Sequence, residues 1–589
     1  MSRPDPLGTQ PVTWKLTDLY VSATDPAVQK DIDRCQTEAA RLHREHGGQL
    51  ASLTPAAMLA LVQGLEEVAT ILGRLATLAF LRFTTQTGNA EAAAFLQRIR
   101  EVASRVGTET VFFELEWNSL DAAIADRLCQ AAELAPFRHY LESMRRYAPH
   151  LLSKSEETLL LEIAPVGRGS WTNLFDKVMG HLSFGQNRRT EEEVLADLYA
   201  PDRAVRSQAA TDLTKGLQDN LHILCHVFNT VLADKMIEDR LRHYGSWLSA
   251  MNLNNELADS TVAVLVGEVT ARYDIPARYY RLKRRLLGLD ELLDYDRYAP
   301  LPELPDSTIP WSACRDMVLT AFNRFSPRMA EIAQLFFDKE WIHAPIMEGK
   351  RGGAFAHPCV PQVHPYIMVN YTGNLRDVAT VAHELGHGVH QYLAADQGYF
   401  NSQTTLVLAE TASVFAELLV FTDQLDRLTD AKARQAFVCQ KLESIFATVF
   451  RQVAMNRFED SIHTARKEHG ELAPEDFARL WRASQQAMFG DSVTLTADYD
   501  IWWSYIPHFL NSPGYVYSYA FGELLVLALY RRYQQEGESF VPRYLELLAA
   551  GGSKSPYDLV QPFGVDLNDP AFWQGGLELI DTMLRSVED

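Results

Sequence analysis

The stretch Asn374–Ala395, NLRDVATVAHELGHGVHQYLAA, carries His383, Glu384 and His387 in the order H-E-x-x-H. Four residues along an α-helix advance about 6 Å and turn about 40° past a full revolution, so both histidines project from one face. An ion there would be held by two imidazoles, with the Glu384 carboxylate beside it. Zinc lowers the pKa of a bound water to roughly 7, and a neighbouring carboxylate can take that proton, which makes a nucleophile at neutral pH. The pattern predicts the chemistry of a zinc hydrolase. Its surroundings predict a helix: Asn374 suits the N-cap, and Asp377 complements the dipole in the first turn. Leu375, Val378, Val381, Ala382, Leu385, Val389 and Leu393 recur near helical spacing, so the segment should be largely buried.

A catalytic zinc takes three protein ligands and keeps one position open. His390 lies two turns from His383, roughly 10 Å along the axis, too far for one ion to reach both, and is read as a helix-face histidine. Glu410 is the better third ligand. It interrupts the apolar helical run LVLAETASVFAELLVF, where an unpaired carboxylate costs several kcal/mol. Glu417, on the same face, is expected either to accept a hydrogen bond from a ligand histidine or to be a salt-bridged surface acid. In thermolysin-like peptidases the glutamate follows the second histidine by about nineteen or twenty residues. Here Leu406 and Val407 occupy those places, and the metzincin offsets are not met either.

The long gap to Glu410 in AETAS, the HELGHGVH helix, the upstream GKRGGAF and HPYIMVNYTGN, and the downstream IPHFLNSPGYVYSYAFGE together resemble oligoendopeptidase F, within the thimet oligopeptidase family. The resemblance runs from WKLTDLY at Trp14 to FGVDLNDPAFWQGGL near the C-terminus, and is loosest over the first two hundred residues. It implies a mainly α, two-lobed, zincin-like metallopeptidase with a small β-sheet beside the HExxH helix and a deep central channel. One Zn2+ per chain would sit on His383, His387 and Glu410, and the substrates would be short unfolded oligopeptides cut at internal bonds. Glu384 would act as base and then as proton donor to the leaving amine. Peptide hydrolysis builds negative charge on the carbonyl oxygen, and His508 with one or more of the nearby tyrosines would stabilise it. If the segment after Gly514 is helical, Tyr515 and Tyr519 share a face while Tyr517 points elsewhere. The alternative for each tyrosine is a core aromatic. Two other functions stay open: a zinc dipeptidyl carboxypeptidase of the same wider family, and a non-catalytic peptide-binding zinc protein.

The net charge of −21 argues against a nucleic-acid partner, since phosphate binding needs a basic surface. The 6 cysteines are scattered without a CxxC pair, which suits reduced thiols, and Cys359 is read as a buried, inert one. The opening MSRPDPLGTQPVTW lacks the apolar core of a signal peptide, and no run reads as a membrane span, so a soluble cytoplasmic enzyme is expected. Helix follows helix from about Pro26 to Leu160. The stretch IAPVGRGSWTNLF, Ile163 to Phe175, breaks that rhythm and suggests an N-terminal helical domain over residues 1–190 with a peptidase domain over 191–589. The acidic loop LDELLDYDRYAPLPELPDSTIPW reads as a solvated face. Between Phe337 and Asn374 the texture changes to short strands, the one sheet expected. Strand IMVNY and the GGAF turn are the candidates for pairing with extended substrate. His357 and His364, each before a proline, are read as turn residues.

Overall fold

The computed structural model describes residues 5–164, 166–301 and 308–588. Long helices dominate, among them Pro26–His46, Pro55–Thr85, Ala90–Ser119, Arg203–Leu241, Phe450–His469 and Tyr517–Glu536. Their starts follow from local chemistry. Asp25, Thr54, Asn89 and Asp202 each accept a hydrogen bond from a first-turn amide, and Pro26 and Pro55 take the first helical position, where no amide proton is missed.

Two compact units emerge, each assembled from separate stretches of chain. The first comprises Met1–Ala148, Asp306–Arg427 and Arg532–Asp566; the second comprises Pro149–Pro305, Leu428–Arg531 and Leu567–Asp589. The single cut expected between residues 190 and 191 does not coincide with this division. Helix Arg168–His181 packs on helix Arg203–Leu241, and a Cβ at Gly216 would stand 2.5 Å from the buried Phe184 ring, so a cut there would part neighbours in close contact. Within the Ile163–Phe175 stretch, Pro165 lies outside the described residues.

The acidic loop departs from its reading as a solvated face. Asp294 and Asp296 lie in a short 3-10 helix, Asp294–Tyr298, and are fully buried. Asp296 accepts from Arg203 Nη2 at 2.6 Å and Arg206 Nη2 at 2.8 Å, while Asp294 accepts from the amide and hydroxyl of Thr496, both at 2.6 Å. Burial of these acids is offset by partners some 90 to 200 residues away in the chain, which local composition cannot reveal. Residues 302–307 of the loop lie outside the described residues.

Among the described residues one helix, Pro55–Thr85, is long and apolar enough by length and composition to cross a membrane, contrary to the reading that no run is. In the first unit Met58, Leu61, Val62, Leu65, Val68 and Leu75 of this helix are buried, and it packs against helices Pro26–His46 and Ala90–Ser119.

The expected sheet has three strands, β1 (Ile342–His343), β2 (Phe355–His357) and β3 (Tyr366–Met368), in the order β1-β3-β2. β1 runs parallel to β3, with Ile342 opposite Ile367, and β2 runs antiparallel, with Ala356 opposite Ile367. β3, the core of the IMVNY candidate, is therefore the central strand. Its hydrogen-bonding groups are committed on both sides and its three side chains are wholly buried, so it cannot receive a substrate strand. The edges are β1 and β2, and β2 begins at Phe355, the last residue of the GGAF turn. β2 and β3 both pack against helix Leu375–Ala394.

Candidate metal centre

Helix Leu375–Ala394 is anchored at its start. Asn374 Oδ1 accepts from the Asp377 amide at 2.9 Å, and Asp377 Oδ2 answers by accepting from the amides of Thr372 at 2.6 Å and Gly373 at 2.8 Å. Val378, Val381, Ala382, Leu385 and Val389 are buried, which turns His383 and His387 toward helix Thr411–Arg427. Two glycines set how near the neighbours come. A Cβ on Gly386 would lie 2.5 Å from the Ala412 carbonyl oxygen and 2.6 Å from Ser413 Cα; one on Gly388 would lie 2.6 Å from the Phe336 ring. Glycine is needed here for close approach of backbones, a role the sequence reading did not assign it.

The apolar run around Glu410 is not one continuous helix. Leu406–Ala409 ends at Glu410, with φ −84° and ψ 0°, and Thr411–Arg427 begins after it. The break aims the carboxylate at the histidines. Glu410 Oε2 lies 3.3 Å from His383 Nε2 and 3.4 Å from His387 Nε2, and the two imidazole centroids are 4.8 Å apart at 81°. One donor atom from each of the three residues falls within 4.8 Å of the others. Bonds of about 2.0–2.1 Å in a tetrahedral site put ligand atoms roughly 3.3 Å apart, so the donor set fits zinc. Ser413 Oγ donates to Glu410 Oε2 at 2.7 Å and fixes the carboxylate.

Behind His383, Glu417 Oε1 lies 2.6 Å from Nδ1, the first of the two roles expected of it. With Nδ1 carrying the proton toward Glu417, Nε2 presents its lone pair to the cluster. Burial opposes charge on His383, but hydrogen bonds to Glu410 and Glu417 override it and lift its pKa to about 10. Glu410 is buried too, yet the two histidines hold its carboxyl far below the usual range. The field at this point stabilises positive charge. Glu384 is 7% exposed, and burial raises its pKa above that of an ordinary glutamate, so it is disposed to hold a proton.

His383, Glu384, His387 and Glu410 line a cavity of about 490 Å³ with Phe355 and Ala356 of β2 and with Gln403. His390 reaches the same cavity but is not in the three-residue cluster, and burial drops its pKa to about 4. His357 Nδ1 accepts from the Cys359 amide at 3.1 Å; His364 stacks on Trp341 at 3.9 Å and faces Asp18 at 3.1 Å. Neither belongs to the cluster. Cys359 is buried, and its thiol is pushed up to about 11 by that burial.

In the second unit, Tyr515 and Tyr519 pair edge to face at 4.8 Å, and Tyr519 Oη lies 3.4 Å from His508 Nε2. Burial and the Arg451 charge lower the His508 pKa, which keeps the imidazole neutral at pH 7. Tyr517 opens helix Tyr517–Glu536 and points elsewhere; it is fully buried and accepts from Asn255 Nδ2 at 2.9 Å. Gly514, at φ +81°, donates its amide to Glu459 Oε1 at 2.9 Å, and a Cβ there would meet Leu248 at 2.8 Å.

The profile of Peptidase family M3 matches residues 325–579, and that of the Oligopeptidase F N-terminal region matches residues 116–184. Oligopeptidase PepF of Bacillus subtilis is 27% identical over 588 residues, covering 98% of this chain and 87% of its own. The fold is shared with a solved Chlamydophila abortus chain at TM-score 0.88, with 24% identity and 98% of each chain covered. It is shared also with oligoendopeptidase-F of Enterococcus faecium at TM-score 0.71, with 22% identity over 95% of this chain and 98% of that one. On the two profiles, which together span more than half of the sequence, and on this likeness along nearly its whole length, the chain belongs to peptidase family M3 and is similar to the oligoendopeptidases F.

Proposed function

We propose that this peptidase is a zinc endopeptidase that hydrolyses internal bonds of short, unfolded oligopeptides. The reading rests on one observation above all: His383, His387 and Glu410 converge at zinc-ligand spacing in a cavity that also holds Glu384. When bound there, zinc would supply Lewis acidity toward a scissile carbonyl and toward water. Glu384 takes the proton of the attacking water and passes it to the leaving amine; its raised affinity for a proton suits both halves of that relay. Glu417 holds the His383 ring in one tautomer. The free edge of β2 offers backbone groups to an extended substrate, which gives affinity with little side-chain selectivity. To His508, Tyr515 and Tyr519 we assign stabilisation of the charged carbonyl oxygen, a role supported by the neutral imidazole and the adjacent phenol. The six free, buried cysteines support a reducing, cytoplasmic setting.

The test is Glu384→Gln, assayed with a fluorescent peptide and by metal analysis. The variant should retain one zinc per chain and lose turnover by about 10²–10⁴-fold. Turnover near the wild-type rate would remove Glu384 from the mechanism. Internal cuts in C-terminally amidated peptides identify an endopeptidase; abolition of all cleavage by amidation identifies a dipeptidyl carboxypeptidase instead.

A further inference from the structure

His508, Tyr515 and Tyr519 hang on one short stretch of the second unit. Helix His508–Asn511 has only 4 residues, and the chain then turns at Gly514, φ +81°, before helix Tyr517–Glu536 begins. Local backbone bonds across the turn are the Ser512 amide to the His508 carbonyl at 3.0 Å and the Tyr515 amide to the Ser512 carbonyl at 3.1 Å. A single helical turn is marginal by itself, so the pose of these rings depends on ties to the elements around them.

Arg168, Asn255 and Glu459 of the same unit supply such ties. On one side of the turn Arg168 Nη2 donates to the Leu510 carbonyl at 3.0 Å; on the other Asn255 Nδ2 donates to Tyr517 Oη at 2.9 Å and Ser518 Oγ at 3.0 Å. The vertex itself has no room for a side chain, since a Cβ on Gly514 would stand 2.8 Å from Leu248 and 3.4 Å from the Trp247 ring. It is held by its main chain instead: the Gly514 amide donates to Glu459 Oε1 at 2.9 Å. Glu459, in helix Phe450–His469, is 1% exposed, and its other oxygen, Oε2, has no partner among the described residues. Burying a carboxyl costs more than one hydrogen bond to an amide returns, so stability alone does not account for an acid here. Local violations of this kind gather where geometry serves a site. The seat is braced as well: Trp247 stacks at 4.5 Å on His463, one turn along from Glu459, and its indole donates to Asp460 at 3.0 Å.

We propose that Glu459 is a positioning residue, which by holding the Gly514 amide sets the pose of Tyr515 and Tyr519 against His508. The transmission is short. Tyr515 follows the vertex directly, its carbonyl accepts from the Ser518 amide at 2.9 Å, and the Val516 carbonyl accepts from the Tyr519 amide at 3.3 Å, so the first turn of helix Tyr517–Glu536 is laid down from that point. The outcome is the edge-to-face pair of Tyr515 and Tyr519 at 4.8 Å, with Tyr519 Oη 3.4 Å from His508 Nε2. A hydroxyl that meets developing charge loses its effect when displaced by about 1 Å, which makes a tie at the vertex matter for the rate. The proposal rests on the reading that these rings stabilise the carbonyl oxygen.

The test compares Glu459→Ala, Glu459→Gln, Tyr519→Phe and the double variant Glu459→Ala/Tyr519→Phe with wild type, each assayed for kcat and KM on a fluorescent peptide, with Tm recorded. Glu459→Ala should lower kcat about 10- to 100-fold and leave KM within about twofold, because the lost placement is felt only in the transition state. Glu459→Gln keeps an acceptor for the Gly514 amide and should recover most of that loss. The double variant should be hardly slower than the slower single one, since both changes act on one hydroxyl. If Glu459→Ala does not fold, Glu459→Met, which fills the space without offering an oxygen, takes its place. A lowered Tm with kcat unchanged, a Gln variant as slow as the Ala variant, or fully additive losses overturns the proposal. Tyr519→Phe at the wild-type rate, or a wild type that cleaves no peptide, sinks the underlying reading and the catalytic role of Glu459 with it. Hydrogen exchange reads the tie without turnover: the Gly514 amide should be protected in wild type and Glu459→Gln and released in Glu459→Ala, and an unprotected amide in wild type overturns the proposal outright.

Discussion

Around His383 each charge is answered at short range by its opposite: two imidazoles face Glu410 at 3.3 and 3.4 Å, and Glu417 closes the ring from behind at 2.6 Å. Around Arg297 positive charge faces the hydroxyls and rings of Tyr298 and Tyr499, and its field reaches Asp294. The first arrangement converges on a point and suits a single small cation. The second spreads one buried cation over neutral hydroxyls and aromatic faces, which fixes a side chain rather than an ion. The guide to a visiting ion is thus the convergence of donor atoms on one point rather than buried charge as such.

The contrast can be broken in four ways. Tyr519→Phe should lower kcat by about 10²-fold or more if its hydroxyl meets the developing oxyanion, whereas Tyr517→Phe should reduce Tm through its lost bond to Asn255 and spare the rate. Equal rates for the two variants would return Tyr519 to the core aromatics. Glu417→Gln should weaken zinc binding about 10- to 100-fold, read by competition with a chelator, and an unchanged affinity would make the contact to His383 incidental.

Gly386→Ala introduces a Cβ against main chain that cannot swing away, and should cost about 1–3 kcal/mol with a parallel loss of metal affinity. Stability lost without metal affinity would uncouple helix docking from the site. The last effect is one of slope. Glu459 is buried in the second unit, and that burial lifts its pKa from 4.5 to about 8. As pH rises past 4.5 the unfolded chain loses this proton first, so the stability it contributes is full below pH 4.5, declines through pH 8 and is flat beyond. Glu459→Gln keeps an acceptor for the Gly514 amide but cannot ionise, so its Tm should gain on wild type between pH 5 and pH 8. Parallel Tm curves would show that Glu459 is ionised in the folded protein.

Much of the first cluster was legible because its rules are local. Four-residue spacing on a helix puts His383 and His387 on one side, the Asn374 cap needs only its neighbour Asp377, and a lone acid in an apolar run marked Glu410. What escaped depends on distant partners. The burial of Asp296 requires Arg203 and Arg206, some ninety residues earlier, and the central place of β3 is decided by pairing with both β1 and β2. The break at Glu410 lies between two short apolar pieces that share one periodicity, so the sequence reads through it.

The glycine between His383 and His387 carries a last implication. Because helix Leu375–Ala394 meets the Ala412–Ser413 main chain without a side chain between, the span from imidazole to carboxylate is gauged by peptide against peptide, much as a fixed jaw sets the opening of a spanner. A bite of that width suits bonds of about 2 Å and would disfavour calcium, whose bonds run to about 2.3–2.6 Å. Selection by ionic size would then be a property of how two helices lie together.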